Sequence, residues 1–221
     1  MGSSGVKLKK INKKCKLNKL KMNLTRKQKS ALIGMILGDG YLQKTGKKNA
    51  RLRLEHKALH RDYLIWKARL LPMFFQSKPQ ILERKHPLTK KVYCYARWQS
   101  NSSPILGQLR KLFYPDPDNK KKIPENLEKL LKDDIAFAIW FYDDGYYFLR
   151  DKCFYLYLGK VSLKEAQIAQ KAIAQKFNIL GKLLDKKDKG YVIYFPSTEN
   201  KKIKKILQKY YVPVMAYKIP L

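Results

Sequence analysis

Two aspartates, Asp39 and Asp144, stand at the ends of two apolar runs that are similar to each other. The runs read LIGMILGDGY over residues 32–41 and FAIWFYDDGY over residues 137–146. If each run is a helix, each aspartate lies near its C-terminal end, where the helix dipole disfavours a carboxylate. Two carboxylates at neighbouring helix ends also repel each other unless a cation lies between them. Because hard oxygen ligands suit Mg²⁺ or Ca²⁺, we predict that the two aspartates bind divalent metal together.

The alternative for each Asp-Gly pair is an ordinary turn without a metal. A single pair would favour that alternative. Two pairs, each after a matching apolar run and before a tyrosine, favour the metal site.

The residues that precede the two runs predict helices. Thr25 and Gln28 have the spacing of a capping box before the first run. Asp133 and Asp134 stand where a second helix would have its N-cap and its first-turn acids. A glycine follows each aspartate and would end each helix.

One face of the first predicted helix consists of small residues. Ala31, Gly34 and Gly38 fall at i, i+3 and i+7, a spacing that places them on one side of a helix. Such a face lets another backbone approach closely. We therefore predict that the two helices pack side by side, which would bring Asp39 and Asp144 together.

The composition indicates a polyanionic partner. The 221 residues include 49 Lys and Arg against 17 Asp and Glu, a formal net charge of +32. An enzyme that acts on small molecules does not need such an excess, whereas nucleic acid is its usual partner. No run reaches the roughly 18 consecutive apolar residues of a membrane span, so we expect no membrane partner.

Cysteine and histidine are sparse. Cys15, Cys94 and Cys153 are odd in number and form no CxxC motif. This predicts a reducing compartment with access to DNA, either a bacterial or archaeal cytoplasm or an organelle, and argues against a disulfide framework or a zinc site. His56 and His60 are spaced i, i+4 without a third ligand, and we interpret them as surface or groove residues.

The periodicity predicts an α+β protein made of two similar halves, each with the order αββαββα and each forming one antiparallel sheet, related by a pseudo-twofold axis. We assign residues 1–23 to a basic, disordered tail that starts with an expression remnant. Residues 24–114 form the first half, residues 115–132 a turn-rich connector, and residues 133–221 the second half.

One face of each predicted sheet carries basic, aromatic and amide side chains. A two-stranded ribbon fits the major groove of DNA, where Arg and Lys can read guanine and Gln can read adenine. The alternative is a solvated charged face, and the net charge favours DNA contact. The candidates in the first half are Arg51, Arg53, Glu55, Arg84, Tyr95, Arg97 and Gln99, and those in the second half are Lys152, Tyr155, Lys182, Lys186 and Lys189.

LIGMILGDGY and AIWFYDDGYY resemble the two motifs of LAGLIDADG homing endonucleases. The layout is similar to the monomeric, two-motif subgroup typified by the mitochondrial omega-intron endonuclease. NKKKIPENL before the second motif and MAYKIP near the C-terminus resemble the lysine-bearing segments of that subgroup. Ile139 and Tyr142 are bulkier than the residues that the family usually has in its second helix. The resemblance implies a saddle of two sheets around the central helix pair.

The resemblance also implies roles for individual residues. Asp39 and Asp144 would be the catalytic, metal-binding carboxylates, one per DNA strand. The backbone carbonyls of the preceding residues would complete the metal shell, and Lys218 would be an active-site lysine. Its partner in the first half is left open between two neighbours. The remaining residues with implied roles are Gly38 and Asp143 for metal, Lys121 or Lys122 for catalysis, and Lys57 and Arg61 near the site.

The function that the resemblance implies is site-specific cleavage of a long, asymmetric double-stranded DNA by a monomer, leaving four-base 3′ overhangs. Mg²⁺ would be the cofactor, Mn²⁺ would substitute for it, and Ca²⁺ would bind without supporting cleavage. The alternative is an RNA maturase, inactive in cleavage or dual in role, that binds its intron RNA. A purely structural basic protein would leave the duplicated motifs unexplained.

Overall fold

The structure is a computed structural model that describes residues 24–115 and 119–219. The predicted basic tail, residues 1–23, lies outside the described residues.

Two buried helices form the centre of the fold. Helix α1 spans Arg26–Leu37, and Thr25 and Gln28 form the predicted capping box at its start. Helix α5 spans Ile135–Asp144 and ends before Gly145. Every residue from 30 to 37 and from 135 to 142 is buried, so protein surrounds these parts of the two helices on all sides.

The start of α5 differs in detail from the prediction. Asp134 occupies the N-cap position but makes no capping bond with its side chain. Asp133 instead accepts the backbone N–H of Ile135 at 3.1 Å. The Asp134 carboxylate accepts from Lys209 and from the hydroxyl of Tyr210, so it ties α5 to the end of the last helix.

The small face of α1 packs directly on α5, as predicted. A Cβ added at Gly34 would come within 2.9 Å of the Cα of Ala136, and one at Gly38 would collide with the carboxylate of Asp143. The helices can approach this closely only because glycine stands at both positions. The bulky Ile139 and Tyr142 do not prevent this packing. Both are buried.

Each half contributes one four-stranded antiparallel sheet. The first sheet has the order β1-β2-β4-β3 and the second the order β5-β6-β8-β7. The two orders are equivalent, which confirms the duplicated α+β architecture. The strands are β1 Tyr41–Lys44, β2 Ala50–Lys57, β3 Gln80–Lys85, β4 Val92–Gln99, β5 Gly145–Phe148, β6 Cys153–Gly159, β7 Lys182–Asp185 and β8 Tyr191–Phe195.

Five further helices cover the sheets and flank the central pair. Two of them begin at a serine cap: Ser103 accepts the backbone N–H of Ile105 at the start of α3, and Ser162 and Glu165 form a capping box at the start of α6. The helices are α2 Arg61–Arg69, α3 Pro104–Phe113, α4 Leu127–Leu130, α6 Leu163–Phe177 and α7 Asn200–Lys209.

The apolar periodicity of residues 59–75 predicts one amphipathic helix, but the helix in the structure is shorter. A 3₁₀ turn over Ala58–His60 precedes α2, which ends at Arg69. The C-terminal segment, which has no strong periodicity, forms a 3₁₀ helix over Pro213–Lys218. This helix carries Lys218 back to the centre of the molecule. Within the described residues, no helix has the length and apolar character needed to cross a membrane.

Candidate active site

The two motif aspartates meet at the ends of α1 and α5. The backbone N–H of Asp39 donates to the carboxylate of Asp143 at 3.0 Å, and Asp144 is the next residue in the chain. The charge of Asp39 helps to raise the pKa of Asp144. Two residues from different halves of the sequence therefore share one electrostatic environment, as the small face of α1 predicted.

Burial makes the ionised form of both acids costly. Desolvation, followed by the charges of Asp143 and Asp39, raises the pKa of Asp144 to about 8. Desolvation and then the charge of Asp143 raise the pKa of Asp39, although its side chain is 48% exposed. Carboxylates that resist ionisation in this way are characteristic of sites that gain a cation.

Two lysines approach the helix ends in a pseudo-symmetric way. The Lys121 ammonium donates to the carbonyl oxygens of Leu37 and Gly38. The Lys218 ammonium donates to the carbonyl oxygens of Tyr142 and Asp143, the latter at 2.9 Å. Desolvation lowers the pKa of both lysines.

Lys122 has a different environment from Lys121. Its backbone N–H donates to the carbonyl of Phe113 at 2.7 Å. Lys122 lines the cleft beside Asp144 together with Lys121, and the Lys121 ammonium donates to the carbonyls at the end of α1.

The carboxylate of Asp143 is engaged by protein groups. Lys67 lies 2.9 Å from one oxygen and 3.1 Å from the other, and Tyr63 donates at 2.8 Å. The side chains of Lys67 and Asp143 are fully buried. Burial alone would raise the pKa of Asp143, but the charge of Lys67 and its hydrogen bonds to the carboxylate hold the pKa below its usual value. Asp143 is therefore an ionised internal anion, and its carbonyl oxygen is the atom that Lys218 contacts.

His56 belongs to the site, contrary to its interpretation as a surface or groove residue. Its side chain is only 7% exposed, and its Nδ1 lies 3.6 Å from Asp39. Its Nε2 is buried without a hydrogen-bond partner. Desolvation and then the positive charge of Lys67 lower the pKa of His56 to about 3, so the imidazole is neutral.

Two clefts flank the helix ends, one beside each aspartate. The cleft beside Asp39 has a volume of about 430 Å³ and contains Lys218, His56 and Lys57. The cleft beside Asp144, of about 140 Å³, contains Lys121. Arg61 is exposed at the start of α2 and does not line the first cleft.

The donor set at the helix ends fits a divalent metal. Asp39, His56 and Asp143 each offer one ligand atom within 4.8 Å of one another, but Lys67 and Tyr63 already engage the Asp143 carboxylate, so Asp39 is the carboxylate of this group that could bind a metal. The ammonium groups of Lys121 and Lys218 contact the carbonyl oxygens at both helix ends, so these oxygens already face positive charge. Carboxylate and carbonyl oxygens are the ligands that Mg²⁺ prefers.

The readout candidates of the first half lie on one face of one sheet. Arg53 is opposite Gln99, and Glu55 is opposite Arg97. Because side chains alternate along a strand, Arg51 shares this face. Lys57 and Tyr95 form the next cross-strand pair, and Arg84 follows on β3.

Ion pairs and ring contacts order this face. Glu55 binds Arg97 at 2.6 Å and Arg84 at 2.7 Å. Burial acts to raise the pKa of Glu55, but the two arginines lower it overall. Arg53 lies over the ring of Tyr41. The arginines are therefore held in place while their guanidinium groups remain partly exposed.

The second sheet presents a different face. Tyr146, Tyr155, Tyr194 and Lys182 form one row across four strands, so this face is more aromatic than the first. Lys186 lies over the Tyr155 ring. The other two candidates lie in loops: Lys152 between β5 and β6, and Lys189 between β7 and β8.

The sequence prediction missed Lys67, Tyr63 and His56. A signal was present for each, because Lys67 lies on the apolar face of α2 beside Tyr63 and Leu64, and His56 ends the buried side of β2. A charged or polar residue on a core face predicts a buried partner, but it does not identify that partner.

Known proteins resemble this chain over most of its length. The LAGLIDADG DNA endonuclease family matches residues 29–203. The probable intron-encoded endonuclease 1 of Wickerhamomyces canadensis is 27% identical over 201 residues, which cover 89% of this chain and 85% of the relative. The cytochrome b mRNA maturase bI2 of Saccharomyces cerevisiae is 26% identical over 204 residues, which cover 86% of this chain and 46% of the maturase.

A solved structure shares the fold. The homing endonuclease I-WcaI bound to its DNA recognition sequence is similar with a TM-score of 0.79 and 26% identity, covering 90% of this chain and 88% of that chain.

Proposed function

The chain belongs to the LAGLIDADG DNA endonuclease family and is a nuclease, and from this premise we propose that it cuts both strands of a long, asymmetric double-stranded DNA as a monomer. The observation that carries the proposal is the meeting of Asp39 and Asp144 at the ends of a tightly packed helix pair. One chain supplies both acids, and its two sheets present different faces, which suits a target without symmetry.

Asp39 and Asp144, with the carbonyl oxygens of Gly38 and Asp143, would hold Mg²⁺, with Mn²⁺ able to replace it and Ca²⁺ binding without cleavage. When bound, the metal would activate water and stabilise the leaving 3′ oxygen. Each aspartate would serve one strand, and the product would carry 3′ overhangs.

Lys121 and Lys218 are the proposed active-site lysines. Each donates to the carbonyls at one helix end, and the two contacts are related by the pseudo-twofold arrangement. From these positions the ammonium groups would stabilise negative charge that develops on the phosphate or orient a water molecule. This symmetry supports Lys121 over Lys122.

The first sheet would read bases in the major groove. Arg51, Arg53, Arg97 and Gln99 lie together on its open face, where Arg can pair with guanine and Gln with adenine. Glu55 would hold the arginines at fixed spacing. In the second half, stacking tyrosines and loop lysines would contribute more to backbone contact than to base readout.

Cleavage of a plasmid that carries the target would test the function. A selection from a randomised or host-genome library would first supply the target. We expect a Mg²⁺-dependent conversion of supercoiled plasmid to a nicked and then a linear form, with 3′ overhangs found by sequencing the ends. Specific binding without any cut in Mg²⁺ or Mn²⁺ would contradict the proposal.

Cleavage at subsaturating Mg²⁺ should become faster as the pH rises to about 8. The pKa of Asp144 is raised to about 8, so below that pH a metal ion must displace a proton. We expect up to about a tenfold rise per pH unit between pH 6 and 8, followed by a plateau. Single-turnover rates on pre-bound DNA measure this effect.

The raised pKa of Asp144 also determines how the stability of the metal-free protein depends on pH. The pKa of Asp144 is higher in the folded protein than its usual value of 3.8. The folded state therefore binds more protons, and stability falls as the pH rises from about 4 to about 8. Asp144→Asn should flatten the stability profile, and a flat wild-type cleavage profile between pH 6 and 8 would contradict this account.

DNA binding should depend strongly on salt. If about eight phosphates are neutralised, the logarithm of the binding constant should fall against the logarithm of salt with a slope near −7. Titrations in Ca²⁺ between 50 and 300 mM salt, roughly the range in which such slopes are resolved, would measure it. A slope near zero would exclude binding along the two basic sheets.

A second candidate function is that of an RNA maturase that binds its intron. The resemblance to the bI2 maturase and the net charge of +32 favour this candidate. An Asp39→Asn/Asp144→Asn variant separates the two functions: loss of cleavage with retained splicing of an intron transcript would show a maturase role. No effect of the protein on splicing would leave the endonuclease alone.

A further inference from the structure

We propose that Lys67 and Tyr63 are positioning residues that act through Asp143 on the first aspartate, Asp39, more than on the second, Asp144. This network consists of Lys67, Tyr63, Asp143 and the backbone N–H of Asp39. Changes in the network would then affect the cleavage rates of the two DNA strands to different extents. The inference rests on the proposed function, because it assigns one strand to each aspartate.

Asp143 joins helix α2 to the backbone of the first motif. One carboxylate oxygen accepts from Tyr63 at 2.8 Å and from Lys67 at 2.9 Å. The other oxygen accepts from Lys67 at 3.1 Å and from the backbone N–H of Asp39 at 3.0 Å. Because both the Lys67 and Asp143 side chains are fully buried, water does not weaken this connection.

Asp39 depends on this connection more than Asp144 does. Helix α1 ends at Leu37, so Asp39 stands beyond the helix between two glycines. Glycine leaves the backbone many accessible conformations, and the bond to Asp143 restricts them. Asp144 is the last residue of α5, so helical geometry itself positions it.

Within residues 133–219, the described part of the second half, there is no counterpart to the network. The position that faces Asp143 across the helix pair is Gly38, which has no side chain to accept an N–H. The buried residues of α6, the helix that corresponds to α2, are Ala166, Ala169, Ala172 and Ile173. Among the residues that the structure describes, the buried lysine therefore supports the backbone of Asp39 and not that of Asp144.

Loss of the network should loosen Asp39 and slow cleavage of its strand. A displacement of a catalytic group by about 1 Å can reduce a rate about 100-fold. The strand served by Asp144 should keep most of its rate, and the variant enzyme should accumulate nicked DNA.

The test measures the cleavage rate of each strand on a linear duplex whose two strands carry different 5′ labels. Asp39→Asn and Asp144→Asn first identify the strand that each aspartate serves. Two variants with equal charge then differ in one property: Lys67→Met/Asp143→Asn keeps an oxygen that can accept the Asp39 N–H, and Lys67→Met/Asp143→Leu does not.

We expect Lys67→Met/Asp143→Leu to slow the Asp39 strand about 10- to 100-fold more than the other strand. We expect Lys67→Met/Asp143→Asn to keep the wild-type ratio within about threefold, whatever its total rate. The matched control is Ile173→Val, a change at a fully buried residue of α6, which should leave the ratio unchanged because its effect is only on packing.

If Lys67→Met/Asp143→Leu does not fold, Tyr63→Phe takes its place, because it removes one donor to Asp143 and keeps the ion pair. A shift of the strand ratio of about threefold or more in the same direction would support the proposal. An unchanged ratio in the variant that is used would overturn it. A wild-type protein that cuts neither strand would instead refute the proposed nuclease reaction itself.

Discussion

Replacing Asp39 and Asp144 together by Asn should abolish cleavage of both strands while DNA binding changes by only a few-fold. Asn offers no charge to hold Mg²⁺, and loss of the metal removes several kcal/mol of transition-state stabilisation. We expect a rate reduction of at least about 10⁴-fold. Plasmid cleavage and a binding titration in Ca²⁺, on the same preparation, measure the two effects.

Each single substitution should leave a nicking enzyme. Asp39→Asn removes one carboxylate and Asp144→Asn removes the other. If each aspartate serves one strand, the two variants should nick opposite strands. The matched control is Asp134→Asn, which changes an acid at the N-terminal end of α5, the helix that ends at Asp144. Asp134 binds Lys209 and Tyr210 there. That control should still cut both strands.

The double substitution should also stabilise the protein in the absence of metal near pH 8. The pKa of Asp144 is raised to about 8 by burial and by its acidic neighbours, so its ionisation opposes folding. Removing that charge should raise the free energy of unfolding by a few kcal/mol, an order-of-magnitude figure. Retained cleavage by the double variant would exclude these residues as the metal-binding acids.

Lys67→Met should be among the most destabilising single substitutions in the protein. The change leaves the fully buried carboxylate of Asp143 without its cation. Breaking a buried pair in this way costs about 3–5 kcal/mol. Urea unfolding at pH 7.5 measures the change in the free energy of unfolding.

In the same variant, the contribution of Asp143 to the pH dependence of stability should change sign. In the wild type the pKa of Asp143 is lowered, so its contribution to stability is present above the unfolded pKa near 4 and is lost as the pH falls through the folded pKa. Without Lys67 the burial of Asp143 dominates and raises its pKa. The variant should then lose stability as the pH rises above about 4.

Two further variants distinguish this account from a general packing defect. Lys67→Met/Asp143→Asn should regain most of the lost stability, because no unpaired charge remains. Lys164→Met breaks an exposed ion pair with Glu125, and solvent-exposed pairs contribute little, so it should unfold as the wild type does. Equal loss in the single and the double variant would contradict the ion-pair explanation.

The sequence by itself determined the helices, the strands and the two-half plan. Thr25 with Gln28 and Ser162 with Glu165 form capping boxes in the structure, and alternation placed Arg53 and Glu55 on one face of β2. These features could be predicted because the interactions that create them are local: a cap forms within one turn, and a strand face follows from a period of two.

Tertiary structure alone decided how charges are paired inside the site. Lys67 and Asp143 are 76 residues apart. Lys218 donates to the carbonyl oxygen of Asp143 from a 3₁₀ helix that the sequence periodicity did not predict. The position of Lys121 at the end of α1 likewise depends on where the connector runs. Burial and pairing are properties of contacts between distant segments, so the same lysine can be a solvated surface residue or a buried counter-ion until the fold is known.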